Sequence, residues 1–131
     1  MLTDLRIVLP NRPGAVTQLC EALGAAGINI EGICGDLRPG ERWGYIHIAV
    51  EDPDKATTLI EGAGYEITAS RRVDLVTIED KPGEFARVLR EYSANDRNID
   101  VVYVASNNRL VISTDEMLDR RVGVNIQDAR T

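Results

Sequence analysis

An internal repeat restricts this chain more than any other feature of its sequence. Pro82-Gly83 stands 69 residues after Pro13-Gly14. The same offset of 69 carries Ile7 onto Val76, Leu9 onto Ile78, Asn11 onto Asp80 and Arg12 onto Lys81. Without a gap, Val16, Leu19, Cys20 and Leu23 fall on Phe85, Val88, Leu89 and Tyr92, and Asn29-Ile30 falls on Asn98-Ile99. One Pro-Gly match is what chance supplies; a run of matched apolar and polar positions is not. The 131 residues therefore divide into two modules, 1–70 and 71–131. A module of this size buries only about 60% of its unfolded surface and is marginal alone. The two are expected to pack on each other about a near two-fold axis.

Each module reads as the same order of elements. Leu5, Ile7 and Leu9 alternate with Arg6 and Val8, the pattern of a half-buried strand. After the Pro-Gly turn, Val16, Leu19, Cys20 and Leu23 mark one helical face, closed by Gly27. Ile30 to Cys34 and Trp43 to Val50 read as strands around a polar loop. Asp52-Pro53 starts a second helix, since Asp caps and Pro suits the first turn. Tyr65 to Ser70 is a fourth strand. In the second module Val73–Ile78 is a strand and Phe85, Val88, Leu89 and Tyr92 mark a helix. Two further strands flank Asn107-Asn108, a tight-hairpin pair. Asp115 is expected to cap a shortened helix through Leu118 and Val122, with a last strand at Val124–Gln127. The expected fold class is α+β: two tandem ferredoxin-like βαββαβ modules, each with an antiparallel four-stranded sheet, paired side by side.

Composition narrows the uses of such a fold. The net charge of −6 repels phosphate backbones, and the central strands lack exposed stacking aromatics on a basic surface, so nucleic acid is not an expected partner. No run of about 18 apolar residues spans a membrane. No basic segment followed by an apolar stretch opens the chain, and the expectation is a cytoplasmic protein. Cys20 and Cys34 match no metal or redox spacing and read as small core residues; no cofactor and no metal are expected. His47, the one histidine, sits in an alternating run and reads as a satisfied strand residue rather than a base. Trp43 and Tyr45 read as packing at the end of that strand. The chain is not expected to be an enzyme.

The paired turns, Asn11-Arg12-Pro13-Gly14 and Asp80-Lys81-Pro82-Gly83, remain. Each joins a strand to a helix whose N-terminal amides and partial positive charge can hold a carboxylate. Glycine lets a ligand approach the backbone. Asn or Asp beside it can accept from an ammonium group. Carboxylate and ammonium together are the marks of a free α-amino acid. Asx-x-Pro-Gly is also simply a well-made turn, and the residues alone leave both readings open.

With these turns, the Val16-Leu19-Leu23 and Phe85-Val88-Leu89 faces, Gly27-Ile28-Asn29-Ile30 and Asn98-Ile99, the chain resembles tandem ACT-domain proteins over nearly its whole length. The resemblance implies regulatory modules that hold amino-acid effectors between the first turn of one module and the second strand of its neighbour. The candidate ligand-binding residues are then Asn11, Arg12, Gly14, Ala15, Asn29 and Ile30 in the first module. In the second they are Asp80, Lys81, Gly83, Glu84, Asn98 and Ile99. ACT modules usually accompany a catalytic or DNA-binding domain, and none is recognised in this sequence. The expectation is therefore an allosteric amino-acid sensor, a homodimer, acting on a partner enzyme or regulator. The alternative is a regulatory or scaffolding subunit of an amino-acid-metabolism enzyme that binds no metabolite.

Overall fold

A computed structural model describes residues 2–121. The elements run β1 (Thr3–Pro10), α1 (Ala15–Ala25), β2 (Gly32–Asp36), β3 (Trp43–Val50), α2 (Pro53–Gly62) and β4 (Glu66–Arg72) in the first repeat. The second continues with β5 (Asp74–Thr77), α3 (Glu84–Ala94), β6 (Ile99–Ala105) and β7 (Arg109–Thr114), a single 3₁₀ turn (Asp115–Met117), then β8 (Leu118–Arg121). The local signals explain most of these boundaries. The Asp52 carboxylate accepts from the Lys55 amide at 3.0 Å, capping α2 as its sequence position predicts. Asn107 and Asn108 both take positive φ, +61° and +53°, in the tight three-residue link that follows the Ala105–Arg109 pair, rather than in a two-residue loop.

All strand pairs are antiparallel, in the order β5-β7-β6-β2-β3-β1-β4-β8. This sheet cannot be flat. β4 and β5 are joined by Val73 alone, yet five strands separate them in the sheet order. Six inter-strand spacings span roughly 29 Å, while two peptide steps reach only about 7 Å. The sheet therefore folds over on itself. The Val73 amide donates to the Leu2 carbonyl at 3.2 Å, and Ser113 Oγ donates to the Arg72 carbonyl at 3.2 Å, where the two ends meet.

Strand alternation then gives three cores. On the outer face of the first repeat, Leu5, Ile7, Leu9, Ile46 and Ile48 are buried under Leu19 and Leu23 of α1 and Ile60 of α2. On the outer face of the second, Leu110 and Ile112 lie under Val88 and Tyr92 of α3. The alternate residues point inward, so Ala49 and Leu2 meet Tyr103, Ala105 and Val111 between the folded-over layers. The ion pair of Arg71 with Asp100 ties β4 to β6 across the repeats.

Three expectations are corrected. In place of two four-stranded sheets there is one eight-stranded sheet: β2-β3-β1-β4 of the first repeat are contiguous in it, β5-β7-β6 of the second extend it beyond β2, and β8 pairs with β4. Side-by-side pairing of the repeats is limited to Gly32 against Ala105 and to the short β4–β8 ladder; between these the layers meet face to face. The helix expected from Asp115 is a single 3₁₀ turn followed by a strand. Helix nucleation is costly and a two-turn helix recovers little of it. Between Asp115 and Arg121 the apolar residues are only Met117 and Leu118, neighbours in sequence rather than a turn apart. The strand expected at Val124–Gln127 lies outside the described residues.

Candidate functional site

The two Pro-Gly turns share one backbone design. Gly14 and Gly83 stand immediately before α1 and α3 with φ of +88° and +84°, a conformation that favours glycine. A side chain built at Gly14 would come no closer than 3.9 Å to a neighbour, and one at Gly83 would meet nothing within 4 Å. Neither helix has a side-chain cap at its N-terminus. The amides of Val16 and Thr17 in α1, and of Phe85 and Ala86 in α3, belong to the group of first-turn donors with no intrahelical acceptor.

The turns differ in what surrounds them. In the first, both hydrogens of the Asn11 amide are committed: Nδ2 donates to the Arg38 carbonyl at 2.7 Å and to the Glu41 carbonyl at 2.8 Å. The Asn11 backbone amide donates to Arg42 O at 2.8 Å. These bonds pin the β2–β3 loop against the turn. They fix the amide orientation, so Oδ1 is an acceptor with no donor among the described residues. Arg12 Nη2 donates to Gln18 Oε1 at 3.3 Å, and Ala15 is buried beneath the turn.

In the second turn a carboxylate is already present. Glu84 is buried where the first repeat has Ala15. It accepts from Arg87 Nη2 at 2.7 Å, from Arg87 Nε at 2.9 Å and from the Glu79 amide at 3.2 Å. The hydrogen bonds from Arg87, then from the Glu79 backbone, hold its carboxyl down at about 2. Lys81 pairs with Glu79 at 2.9 Å, and Asp80 is exposed. The two candidate sites are chemically unequal: one turn lacks an anion, the other carries its own.

The second-strand residues are divided between the turns. Asn29 donates to the Glu31 carboxylate, which also accepts from Arg109 Nη2 at 3.1 Å at the β6–β7 hairpin. The Ile78 amide donates to Asn108 O at 2.8 Å in that hairpin. Glu31, Arg109 and Asn108 thus link Asn29 to the end of β5, just before the second turn. Asn98 instead donates to Asp115 at 3.4 Å, away from the first turn. No hydrogen bond or ion pair among the described residues joins the first turn to Asn98 or Ile99. Ile30 and Ile99 pack against the outer cores of their own repeats.

Sequence reasoning missed a polar centre between the layers. Asp4 is fully buried. It accepts from Tyr103 Oη at 2.6 Å and contacts His47 Nδ1 at 2.9 Å. Burial and then the Asp4 charge push the Tyr103 phenol far up. His47 is a satisfied strand residue, as its place in β3 suggested. Little in the sequence signalled it, because Asp4 shares the alternate face of β1 with Arg6, where a charged residue is ordinary. Two other readings need correction. Cys34 is exposed rather than in the core, because β2 and β6 pair at one end only, and Cys20 is half-buried. Trp43, expected to pack at the end of the strand, is 45% exposed.

No protein-family model and no curated protein matches the sequence. Solved structures do match. Protein BT0572 from Bacteroides thetaiotaomicron is similar at 28% identity and a TM-score of 0.73, over 86% of this chain and 78% of that one. The regulatory subunit of aspartate kinase from Thermus thermophilus, in its ligand-free form, is similar at 18% identity and 0.64, over 86% and 82%. A structure of aspartokinase alpha and beta subunits is similar at 17% identity and 0.60, over 88% and 82%. The chain therefore shares its fold with regulatory subunits of aspartate kinase.

Proposed function

We propose that this chain is a non-catalytic regulatory protein that binds a free α-amino acid at its first Pro-Gly turn and acts through a partner protein. The observation that carries the reading is the uncapped α1 N-terminus at Gly14, beside an Asn11 amide whose two donors are committed elsewhere. Helix amides suit the ligand carboxylate. The Asn11 carbonyl oxygen suits its ammonium group, because an acceptor is what an ammonium needs. At the second turn the Glu84 carboxylate already meets Arg87 and the Glu79 amide, so the first turn is the stronger site. The fold shared with regulatory subunits of aspartate kinase supports a regulatory role. The neighbouring second strand is supplied by another copy of the chain, since among the described residues Asn98 and Ile99 make no polar contact with the first turn.

A thermal-shift screen against the free α-amino acids tests this. Ligand at 100 times its dissociation constant stabilises the folded state by about 2.7 kcal/mol. One or a few amino acids should raise the unfolding temperature, and the corresponding amides and decarboxylated amines should not. A flat response to every amino acid would favour the scaffolding subunit, which needs no metabolite.

A further inference from the structure

The inner face of the first sheet is covered along only part of its length. Near Leu2 and Ala49 it is sealed by Tyr103 and Val111. Towards the other end of β3 it opens into a cavity of about 700 Å³ lined by Arg6, Cys34, Arg42, Trp43, Tyr45 and His47. That volume is in the range that holds small organic ligands. The cavity lies on the face of β3 opposite α1, so it is not the turn site.

Its chemistry is specific. Although the chain is acidic overall, the lining carries three arginines, Arg6, Arg38 and Arg42, against two carboxylates, Asp36 and Glu41. Asp36 is engaged by Arg38 at 3.7 Å. The Arg42 guanidinium has no hydrogen-bond or ion-pair partner among the described residues. The Arg6 guanidinium lies 3.6 Å over the centre of the Tyr45 ring. This cation–π contact holds the Tyr45 ring in place at the cavity wall. The Tyr45 hydroxyl is buried without a partner. Buried hydroxyls are nearly always hydrogen-bonded, so an unmatched one at a cavity wall marks a place where a polar ligand atom belongs. Trp43, almost half exposed, offers an aromatic face at the lip.

We infer that this cavity is a second ligand site, which binds a small aromatic carboxylate. The carboxylate is held by Arg42 and accepts a hydrogen bond from the Tyr45 hydroxyl, and the ring lies against Trp43. The inference does not rest on amino-acid binding at the turn. The Arg38–Arg42 loop at the rim is the one held by Asn11, so the two sites share a structural element.

The full chain reports on this directly, because Trp43 is its one tryptophan. Phenylacetate is titrated while Trp43 fluorescence is read, with calorimetry alongside; phenylacetamide and acetate serve as neutral and non-aromatic comparisons. Phenylacetate should give a saturable change and bind at least about tenfold more tightly than either comparison. Arg42→Gln, at an exposed position, should weaken it by about tenfold, whereas Lys55→Gln on α2 should leave it unchanged. Tyr45→Phe gives a second, milder reduction. No saturable binding of phenylacetate overturns the inference. So does equal affinity for phenylacetamide, or affinity unaltered in both Arg42→Gln and Tyr45→Phe.

Discussion

At the residue scale, the polar groups that matter most are those the fold removes from water. Asp4 fits the strand alternation of β1, so neither its burial nor its partners could be read in the sequence: Tyr103 lies 99 positions away and arrives only because the sheet folds over. Tyr103→Phe leaves the Asp4 carboxylate short of a donor and should cost about 1.5–3 kcal/mol, read from urea unfolding. A cost under half a kcal/mol would mean that the bond contributes little. Glu84 makes a pH-dependent contribution. Its folded value of about 2 lies below its ordinary 4.5, so its stabilisation is present above pH 4.5 and is lost as pH falls towards 2. Glu116, lowered to about 2 chiefly by its hydrogen bond from Arg97, behaves the same way. Glu84→Gln should therefore make the stability curve shallower between pH 4.5 and 2 without flattening it. A curve parallel to that of the wild type would contradict this account of the Arg87 pair.

At the element scale, the first repeat was almost fully legible, because its periodicities are long and its caps agree with them. Strand alternation in β1 and the Val16-Leu19-Leu23 face of α1 identified the residues that meet in the first core. The end of the second repeat was not legible. The repeat invited a helix after Asp115, and local physics overrode the analogy: few residues, few apolar ones, and an alternative edge at β4. Side-by-side pairing was also only partly readable, since the one-residue link at Val73 is visible in sequence only once β4 and β5 are known to be far apart in the sheet order. The narrow seam between repeats gives a sharp test. An added Cβ at Gly32 would lie 3.0 Å from Ala105 Cβ and 3.1 Å from Tyr103 Cε2. Gly32→Val should force β2 and β6 apart and cost about 1–3 kcal/mol, with faster amide exchange concentrated in β6. Protection unchanged in β6 would show that the seam does not hold the repeats together.

At the scale of the whole molecule, the two turns that look alike in sequence are unequal in structure, and the account turns on that asymmetry. The motif located both turns; it could not reveal that Glu84 brings its own carboxylate to one and that Ala15 leaves the other without one. Because the first turn meets no second strand of the other repeat among the described residues, the protein is expected to dimerise. Light scattering should give twice 14.4 kDa at micromolar concentration, and a persistent 14.4 kDa species would remove the shared site. The most direct test is calorimetry with the amino acid that stabilises the wild type, on folded Gly14→Ala and Gly83→Ala side by side. Both substitutions place a methyl group at a positive φ, where strain is about 1–2 kcal/mol, so their folding costs are matched and only ligand contact separates them. The account predicts at least a tenfold loss of affinity in Gly14→Ala and near wild-type affinity in Gly83→Ala. Unchanged affinity in Gly14→Ala, or a loss confined to Gly83→Ala, would contradict it.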